Sequence, residues 1–295
     1  MKIAVIITGG TILSAPSGGF ISLCEDRKRE LLELIASDVE LEVYNPYTVL
    51  SEQLDGKLLS KLIATVSDVL KESFDGIIVI HGTDTLQYSA AALSLAYADS
   101  KVPIVLVSSN YTLDNPKANG RDNLKYAVEF VKEKIGGVFV SYRNLGQNPE
   151  IHLGSRVLPH ISYGDEICSL GGSFGYFENG GFVRKLESFE TNSIGCYELS
   201  ERCPILYLKA YPSMTLPKTD GYKAVLIETY HSGTLPTENE DFAEFCKSCP
   251  VPVYVTGVSD RIPYSSTSVY GDLGLKILPQ TSPIYAFVNL WQKYS

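Results

Sequence analysis

The chain has 295 residues, of which 44% are hydrophobic and 20% are charged, and its formal net charge is −9. This composition is typical of a globular protein that is long enough to form two domains. The negative charge argues against a nucleic-acid partner and against binding to an anionic membrane, because both attract basic surfaces. No segment approaches the roughly 20 apolar residues of a membrane span, so no membrane association is expected.

The cysteines and the N-terminus favour a cytoplasmic location. Six cysteines are scattered along the chain, as in proteins of a reducing compartment. The opening "MKIAVIITGG" is too short in its apolar part for a signal peptide, and a strand explains it better. The spacing in "CKSCP" (246–250) fits a CxxC pair, which can be redox-active. Without a second pair, two structural thiols explain it better than a zinc site.

Strand-like and helix-like segments alternate through the first two-thirds of the chain. The predicted strands are 2–7, 41–44, 77–80, 103–109 and 136–142. The predicted helices are 25–35, 54–73, 87–96 and 124–133. Short apolar runs of this kind are typical of strands that are covered on both faces. The alternation therefore predicts a doubly wound parallel sheet with right-handed crossovers.

The alternation stops after residue 144 and resumes near the C-terminus. The segment "GGSFGYFENGGF" predicts a hairpin around Asn179-Gly180, and 186–203 is interpreted as a linker. Strands at 224–230 and 251–258 and helices at 240–247 and 284–293 then predict a second α/β unit. We therefore expect a larger N-terminal α/β domain (1–185) that carries the site and a smaller C-terminal α/β domain (204–295).

Two polar turns follow predicted strands. In "IITGGTILS" (6–14), Gly9 and Gly10 permit a tight turn and a close approach of the backbone to a ligand, and the Thr11 hydroxyl follows. In "IIVIHGTDTLQYSAAALS" (77–94), Thr83 and Asp84 lie between a strand and a helix, where ligands of α/β sheets gather. Each turn taken alone also fits a purely structural glycine turn or helix cap.

Together the two turns resemble motifs of the L-asparaginase/glutaminase family, the amidohydrolases that use a threonine nucleophile. The resemblance is strongest at "TGGTI" (8–12), "DGIIVIHGTDT" (75–85) and "KANGRDNLKYAV" (117–128), and the C-terminal domain matches only in outline. It implies a two-domain asparaginase-like fold and hydrolysis of L-asparagine, or a related small amino-acid amide, to the acid and ammonia. No cofactor and no metal are implied. His81, His152 and His231 are also too widely spaced to suggest a metal site.

The resemblance also implies roles for individual residues. Thr11 is the expected nucleophile, Thr83 supplies a second catalytic hydroxyl, and Asp84 binds the α-amino group of the substrate. Ser51, in "VLSEQLD", is expected to bind the α-carboxylate. Thr11, Thr83 and Asp84 are thus the predicted catalytic set. The predicted substrate-binding set consists of Gly10, Ser51, Gly82, Thr83, Asp84 and Ser109.

The chain departs from the family pattern at two catalytic positions. Phe20 stands where the family has a tyrosine near its nucleophile, and phenylalanine cannot exchange a proton. In "LGSRVLPHIS", Leu158-Pro159 stand where the family has a Thr-Lys pair. His160 or Arg156 could reach the site instead, and a histidine is a suitable base near neutral pH. An ordinary loop histidine is the alternative interpretation.

Three functions fit these observations. The first is an active amidohydrolase, and the second is a catalytically weakened relative that binds an amino acid such as aspartate or asparagine as a sensor. The third is the amidase subunit of a tRNA-dependent amidotransferase, against which the acidic charge and the lack of an extra N-terminal domain argue. The family also implies a homodimer or homotetramer, because a neighbouring subunit completes each site. The apolar "IYAFVNLWQKYS" at the C-terminus agrees with an assembly of this kind.

Overall fold

A computed structural model describes residues 1–35, 39–187, 189, 191–259 and 264–295. The chain divides into two compact units, Met1–Glu198 (unit 1) and Leu199–Ser295 (unit 2). The predicted end of the N-terminal domain at residue 185 and the predicted start of the C-terminal domain at residue 204 stay predictions. Residues 188 and 190 of the predicted linker lie outside the described residues.

Unit 1 is built around a mixed sheet. The strands of unit 1 are β1 (Lys2–Ile7), β2 (Ser14–Ser17), β3 (Phe20–Leu23), β4 (Glu40–Tyr44), β5 (Gly76–Ile80), β6 (Pro103–Val107), β7 (Gly137–Tyr142), β8 (Glu150–Leu153), β9 (Gly175–Glu178) and β10 (Gly181–Arg184). Among the described strands, β2 and β3 pair only with each other. Its helices are α1 (Glu25–Ile35), α2 (Gly56–Val69), α3 (Leu86–Tyr97) and α4 (Gly120–Lys132). The main sheet has the order β10-β9-β8-β7-β6-β5-β1-β4. The predicted α/β fold is confirmed.

The centre of the sheet is parallel and one edge is antiparallel. Strands β4, β1, β5, β6 and β7 pair in parallel, whereas β8, β9 and β10 continue the sheet in antiparallel pairs. β5 and β6 are buried along their whole length, as the apolar runs predicted. The antiparallel edge comes from the segment after residue 144, where the sequence predicted only the hairpin of β9 and β10. That hairpin turns at Asn179 and Gly180, which have φ values of 51° and 81°.

Helices cover both faces of the sheet, and one crossover differs from the expected hand. The connections β5–α3–β6 and β6–α4–β7 step across the sheet in the same direction. α4 packs on Phe139 of β7 through Phe130, with ring centroids 4.7 Å apart. α3 lies on the opposite face, because Val138 approaches Gly154 beside the Ala90 carbonyl of α3.

These two crossovers therefore have opposite hands. α1 contacts α4 on the same face, but its connection from β1 to β4 runs in the other direction across the sheet. The connections through α1 and α3 thus have the same hand. About 98% of such connections are right-handed, so this shared hand is the right-handed one. The prediction that all crossovers are right-handed is wrong for β6–α4–β7, because periodicity along the chain does not specify the face on which a helix packs.

The strand order also determines where a ligand site is expected. β1 lies between β4, which follows it in the chain, and β5, from which the chain continues in the opposite direction across the sheet. The carboxyl ends of β1 and β5 therefore flank a topological switch point, where open α/β sheets bind their ligands. "TGGTI" follows β1 and "HGTDT" follows β5. Both motifs consequently emerge at the same crevice.

Unit 2 has a parallel sheet of its own. Its strands, in the order β11-β12-β13-β14, are β11 (Ile205–Lys209), β12 (Ala224–Glu228), β13 (Val253–Thr256) and β14 (Lys276–Ile277). Its helices are α5 (Glu240–Ser248), α6 (Ser265–Ser268) and α7 (Pro283–Tyr294). Two strands and two helices were predicted. β11 was missed because it follows the irregular segment directly, and β14 and α6 were missed because they are only two and four residues long. Of the helices in the described part of the chain, none is both long and apolar enough to cross a bilayer.

Candidate active site

The loops after β1 and β5 touch through glycine backbone. A Cβ atom added to Gly10 would lie 2.2 Å from the Cα of Gly82. Gly10 has a φ of 93° and a ψ of 177°, a conformation that is essentially restricted to glycine. Gly9 is just as constrained, because its Cβ would lie 1.9 Å from the Val49 carbonyl oxygen. Both glycines of "TGGTI" are thus needed for close backbone approach, and Thr11 follows directly.

Ser51 completes a three-way junction with these loops. A Cβ atom on Gly82 would lie 2.3 Å from the Cβ of Ser51, which is only 7% exposed. The Ser51 hydroxyl donates to the Asp84 carboxylate at 3.3 Å, and the Thr85 hydroxyl donates to the Ser51 carbonyl at 3.0 Å. The structure therefore brings Gly10, Gly82, Ser51 and Asp84 together from three distant segments, and their roles in substrate binding stay predictions.

Hydrogen bonds extend the sheet into the junction and hold the loops in register. The Thr8 hydroxyl donates to the Ile80 carbonyl at 2.9 Å, and the Thr8 amide donates to the same oxygen at 3.0 Å. The Val49 amide donates to the Thr8 carbonyl at 3.0 Å, and the Gly10 amide donates to the Val49 carbonyl at 3.2 Å. The loops after β1, β4 and β5 are consequently one hydrogen-bonded assembly.

Thr11 is fixed at its backbone and open at its hydroxyl. It begins a short 3₁₀ turn, Thr11–Leu13, in which the Leu13 amide and the Ser14 hydroxyl both donate to the Gly10 carbonyl, each at 3.0 Å. The Thr11 side chain is half-buried. Among the described residues, no hydrogen-bond partner occupies its hydroxyl. The arrangement leaves this oxygen available for a reacting group.

Thr83 and Asp84 have different surroundings although they are adjacent. The Thr83 hydroxyl donates to the Ser109 carbonyl at 2.8 Å and is half-buried, whereas Asp84 is exposed. A threonine whose proton is held by a carbonyl still offers its oxygen lone pairs to a second donor. The Asp84 carboxylate, at the start of α3, can accept from a cationic ligand group.

The Ser109 carbonyl accepts the hydrogen bond from Thr83, and the Ser109 hydroxyl makes hydrogen bonds to the protein backbone. That hydroxyl donates to the Tyr111 carbonyl at 2.6 Å and accepts from the Gly120 amide at 3.1 Å. The Asn123 side chain donates to the Ser108 carbonyl at 2.8 Å. The "KANGRDN" motif therefore holds the loop after β6, whose carbonyl holds Thr83. Direct binding of a substrate by Ser109 stays a prediction.

His81 fixes the "HGTDT" turn from inside. Its Nδ1 lies 2.8 Å from the Gly82 carbonyl, and its Nε2 lies 2.7 Å from the Ser89 hydroxyl. A carbonyl can only accept, so Nδ1 carries the proton and Nε2 accepts from Ser89. Burial lowers the pKa of His81 to about 4, which keeps the ring neutral. His81 is therefore a positioning group, a role for which its place in the "HGTDT" motif gave no signal.

The two positions that are predicted to depart from the family pattern both lie in unit 1, one in a strand and the other in a loop. Phe20, in β3, is 79% exposed and starts the second strand of a hairpin that turns at Gly18 and Gly19. Pro159 lies outside regular secondary structure and offers no side-chain donor or acceptor. The Arg156 guanidinium lies beside Gly171.

His160 reaches the predicted catalytic residues. Its ring is half-buried. The backbone carbonyls of Glu166 and Thr83 and the negative charge of the Asp84 carboxylate lie close enough to favour the protonated ring. Burial outweighs these three groups and lowers the pKa of His160 below 6.5. Of the two alternatives, His160 lies beside Thr83 and Asp84, whereas the Arg156 guanidinium lies beside Gly171.

Other chemistry-bearing groups do not form a second site of a known kind. In the described residues, no group of three or more His, Cys, Asp or Glu side chains is arranged to hold a metal ion. Burial raises the pKa of the Cys246 thiol to about 12, so this member of the CxxC pair stays protonated at neutral pH. That protonation agrees with the interpretation of the pair as structural thiols.

Sequence comparisons agree with the resemblance. The family model "Asparaginase, N-terminal" matches residues 2–158. A glutamyl-tRNA(Gln) amidotransferase protein of Haloquadratum walsbyi is 33% identical over 177 residues, which cover 57% of this chain and 40% of the relative. An L-asparaginase of Thermococcus kodakarensis is 30% identical over 163 residues, which cover 53% of this chain and 47% of the relative. The matched region thus spans less than half the length of these relatives.

Structural comparison shows the fold over the whole chain. The thermostable L-asparaginase from Thermococcus kodakarensis superposes with a TM-score of 0.82 at 20% identity. The match covers 100% of this chain and 93% of the other. At this identity the likeness supports the α/β architecture of both units, and it does not assign a substrate.

We predict that Gly10→Ala destabilises the protein far more than Gly19→Ala. Both glycines have positive φ values, 93° and 85°, so both variants carry backbone strain, and Gly10 with its ψ of 177° lies in the more restricted region. Only Gly10 has a neighbour in the way, because nothing lies within 4 Å of a Cβ on Gly19. Urea unfolding of the two variants measures the difference. Equal losses of unfolding free energy would contradict the close approach of Gly10 to Gly82.

We also predict that His81 makes the protein less stable in mild acid. Its folded pKa of about 4 lies below the unfolded value of 6.5. The unfolded state therefore binds more protons between these values, and the stabilisation present above pH 6.5 is lost as the pH falls towards 4. At about 1.4 kcal/mol per pKa unit, the loss is roughly 2 kcal/mol between pH 7.5 and pH 5.

The measurement is the unfolding free energy of the wild type and of His81→Gln at both pH values. The variant should lose less stability on acidification than the wild type. It should retain part of the loss, because burial also lowers the pKa of His152. An identical pH dependence in both proteins would contradict a neutral, buried His81.

Proposed function

The chain belongs to the asparaginase family, and we propose that it is an amidohydrolase that cleaves the side-chain amide of L-asparagine or a related amino acid. The products are the acid and ammonia, and the nucleophile is Thr11. The reaction requires no cofactor, because a hydroxyl nucleophile, a base and oxyanion donors are sufficient for amide hydrolysis.

The contact between Gly10 and Gly82 carries this proposal. It brings Thr11, with its available hydroxyl, beside the turn that bears Thr83 and Asp84. A substrate carbonyl carbon bound between the two loops would lie within reach of Thr11. A threonine placed for attack, next to groups that orient the substrate, gains rate mainly from proximity. The same contact has no evident purpose in a fold that only needs two turns.

Ser51 and Asp84 form the binding half of the proposed site. Asp84 is exposed and accepts a hydrogen bond from Ser51, so its carboxylate is oriented and remains open to a ligand. We propose that it pairs with the α-ammonium group of the amino acid, while the Ser51 hydroxyl turns to the α-carboxylate. Charge-assisted hydrogen bonds of this type contribute about 1.5–3 kcal/mol each.

A second candidate function is release of ammonia from an amide for use by a partner protein. The relatives named as components of glutamyl-tRNA(Gln) amidotransferase support it, because they match 57% of this chain and the L-asparaginase matches 53%. The two candidates share the chemistry at Thr11 and differ in substrate. Ammonia release from free asparagine and free glutamine, assayed in the absence of partners, separates them.

The function prediction concerns Thr11 and Asp84. Thr11→Ala should abolish ammonia release and leave binding of L-aspartate nearly unchanged, because the hydroxyl is needed for attack only. Asp84→Ala should weaken binding at least tenfold, or about 1.4 kcal/mol, in isothermal titration calorimetry. Thr65→Ala, at a half-buried threonine of α2, is the matched control and should change neither quantity.

Each result separates the hypotheses. Ammonia release that survives Thr11→Ala would contradict the proposed nucleophile. Tight binding without any hydrolysis in the wild type would favour a sensor or binding protein over an enzyme. Unchanged binding in Asp84→Ala would remove the assignment of the ammonium site.

We further propose a cytoplasmic homodimer or homotetramer, following the family. The six cysteines all lie within the described ranges and are free thiols, which agrees with a reducing compartment. Sedimentation velocity at micromolar concentration should detect at least a dimer. A monomer at that concentration would contradict the proposed assembly.

A further inference from the structure

The loop that carries His160 is anchored at the carboxyl end of β7. The Tyr142 hydroxyl donates to the Asp165 carbonyl at 2.7 Å. The Asn144 side chain makes two hydrogen bonds with the Ile167 backbone, both at 2.9 Å. These buried anchors belong to the same edge of the sheet as the loops after β1 and β5. The position of His160 therefore follows from the sheet as well as from local loop conformation.

The surroundings of the His160 ring differ from those of a histidine used only for structure. In His81, both ring nitrogens have hydrogen-bond partners. In His160, Nε2 is buried and lacks a hydrogen-bond partner among the described residues. A buried nitrogen without a partner costs free energy unless a ligand or water pairs with it. The groups that act on this ring are the Thr83 and Glu166 carbonyls and the Asp84 carboxylate.

Besides His160, the proton acceptor described next to Thr83 is the Asp84 carboxylate. Pro159, at the position expected for the family lysine, cannot accept a proton. Thr83 cannot serve as a base alone, and its hydroxyl proton is held by Ser109. Asp84 is committed to the substrate ammonium under the proposed function. A catalytic hydroxyl needs a nearby base before it becomes an effective nucleophile.

We propose that His160 is the general base of this site and replaces the lysine of the family pattern. The inference depends on the proposed amidohydrolase function and identifies the group that moves its proton. Neutral imidazole suits this role, because a base with a pKa near the working pH contributes about 10²–10⁴-fold in rate. Burial lowers the pKa of His160 below 6.5, so the ring is available as a base at neutral pH.

The His160 imidazole accepts and returns each proton that the reaction transfers. As Thr11 Oγ attacks the amide carbon, the new C–O bond forms and the carbonyl electron pair moves to oxygen. The hydroxyl proton passes to His160 through one water, since the groups beside the ring are Thr83, Glu166 and Asp84. The imidazolium then returns this proton to the amide nitrogen as the C–N bond breaks and ammonia leaves. Water next attacks the Thr11 ester and gives its proton to His160, which returns it to Thr11 as the C–O bond breaks.

The experiment compares His160→Gln with the wild type and with His231→Gln, a control at an exposed histidine of unit 2. Steady-state ammonia release is measured from about pH 5 to pH 9, and L-aspartate binding is measured by calorimetry. We expect kcat of His160→Gln to fall at least about 100-fold, with KM and L-aspartate affinity within about threefold. The acid limb of the wild-type kcat/KM profile, with a midpoint below pH 6.5, should disappear in this variant.

The outcomes separate this inference from the function beneath it. If His160→Gln retains the wild-type rate and pH profile while Thr11→Ala is inactive, His160 is not the base and the amidohydrolase function stands. A loss of binding equal to the loss of rate would assign His160 a purely structural role and overturn the inference. If the wild type releases no ammonia from any amide, the proposed function fails, and the catalytic role of His160 fails with it.

Discussion

The approach of Gly10 to Gly82 is the constraint on which the candidate site depends. A Cβ atom on Gly10 would lie 2.2 Å from the Cα of Gly82, so neither loop can carry a side chain at this point. The residues that follow each glycine are the ones with reactive groups, Thr11 on one loop and Thr83 on the other. Because the contact is made by backbone, it positions the two hydroxyls without occupying them. Substrate-positioning geometry of this kind is sensitive to displacements of about 1 Å.

The polar groups around this contact divide into those that the fold uses and those that it leaves open. His81, Ser109 and Asn123 are buried, and hydrogen bonds within the protein satisfy them. They hold the turn after β5 and the loop after β6. The hydroxyl of Thr11 and the carboxylate of Asp84 lie at the open side of the same assembly. A rigid polar network that supports a few accessible groups is the arrangement expected of a preorganised active site.

The departures from the family pattern also have a structural explanation. Phe20 lies on an exposed hairpin, where a change of side chain costs the fold little. Pro159 lies on the loop anchored by Tyr142 and Asn144, and the neighbouring His160 points back to Thr83 and Asp84. A rigid anchor allows a different residue of the same loop to reach the site. Pro159 at the position predicted for the lysine therefore does not by itself remove every proton acceptor from the site.

The sequence alone determined the segments and the chemistry of this protein. Apolar runs predicted β1, β5 and β6, a helix-like segment predicted α2, and two glycine turns predicted the loops that carry Thr11 and Thr83, because each signal is local. Only the tertiary structure decided the antiparallel edge after β7 and the face on which α4 packs, since both depend on contacts between distant residues. The same holds for the choice between Arg156 and His160. Both lie in the segment after β8, and only the path of that segment brings the His160 ring to Thr83.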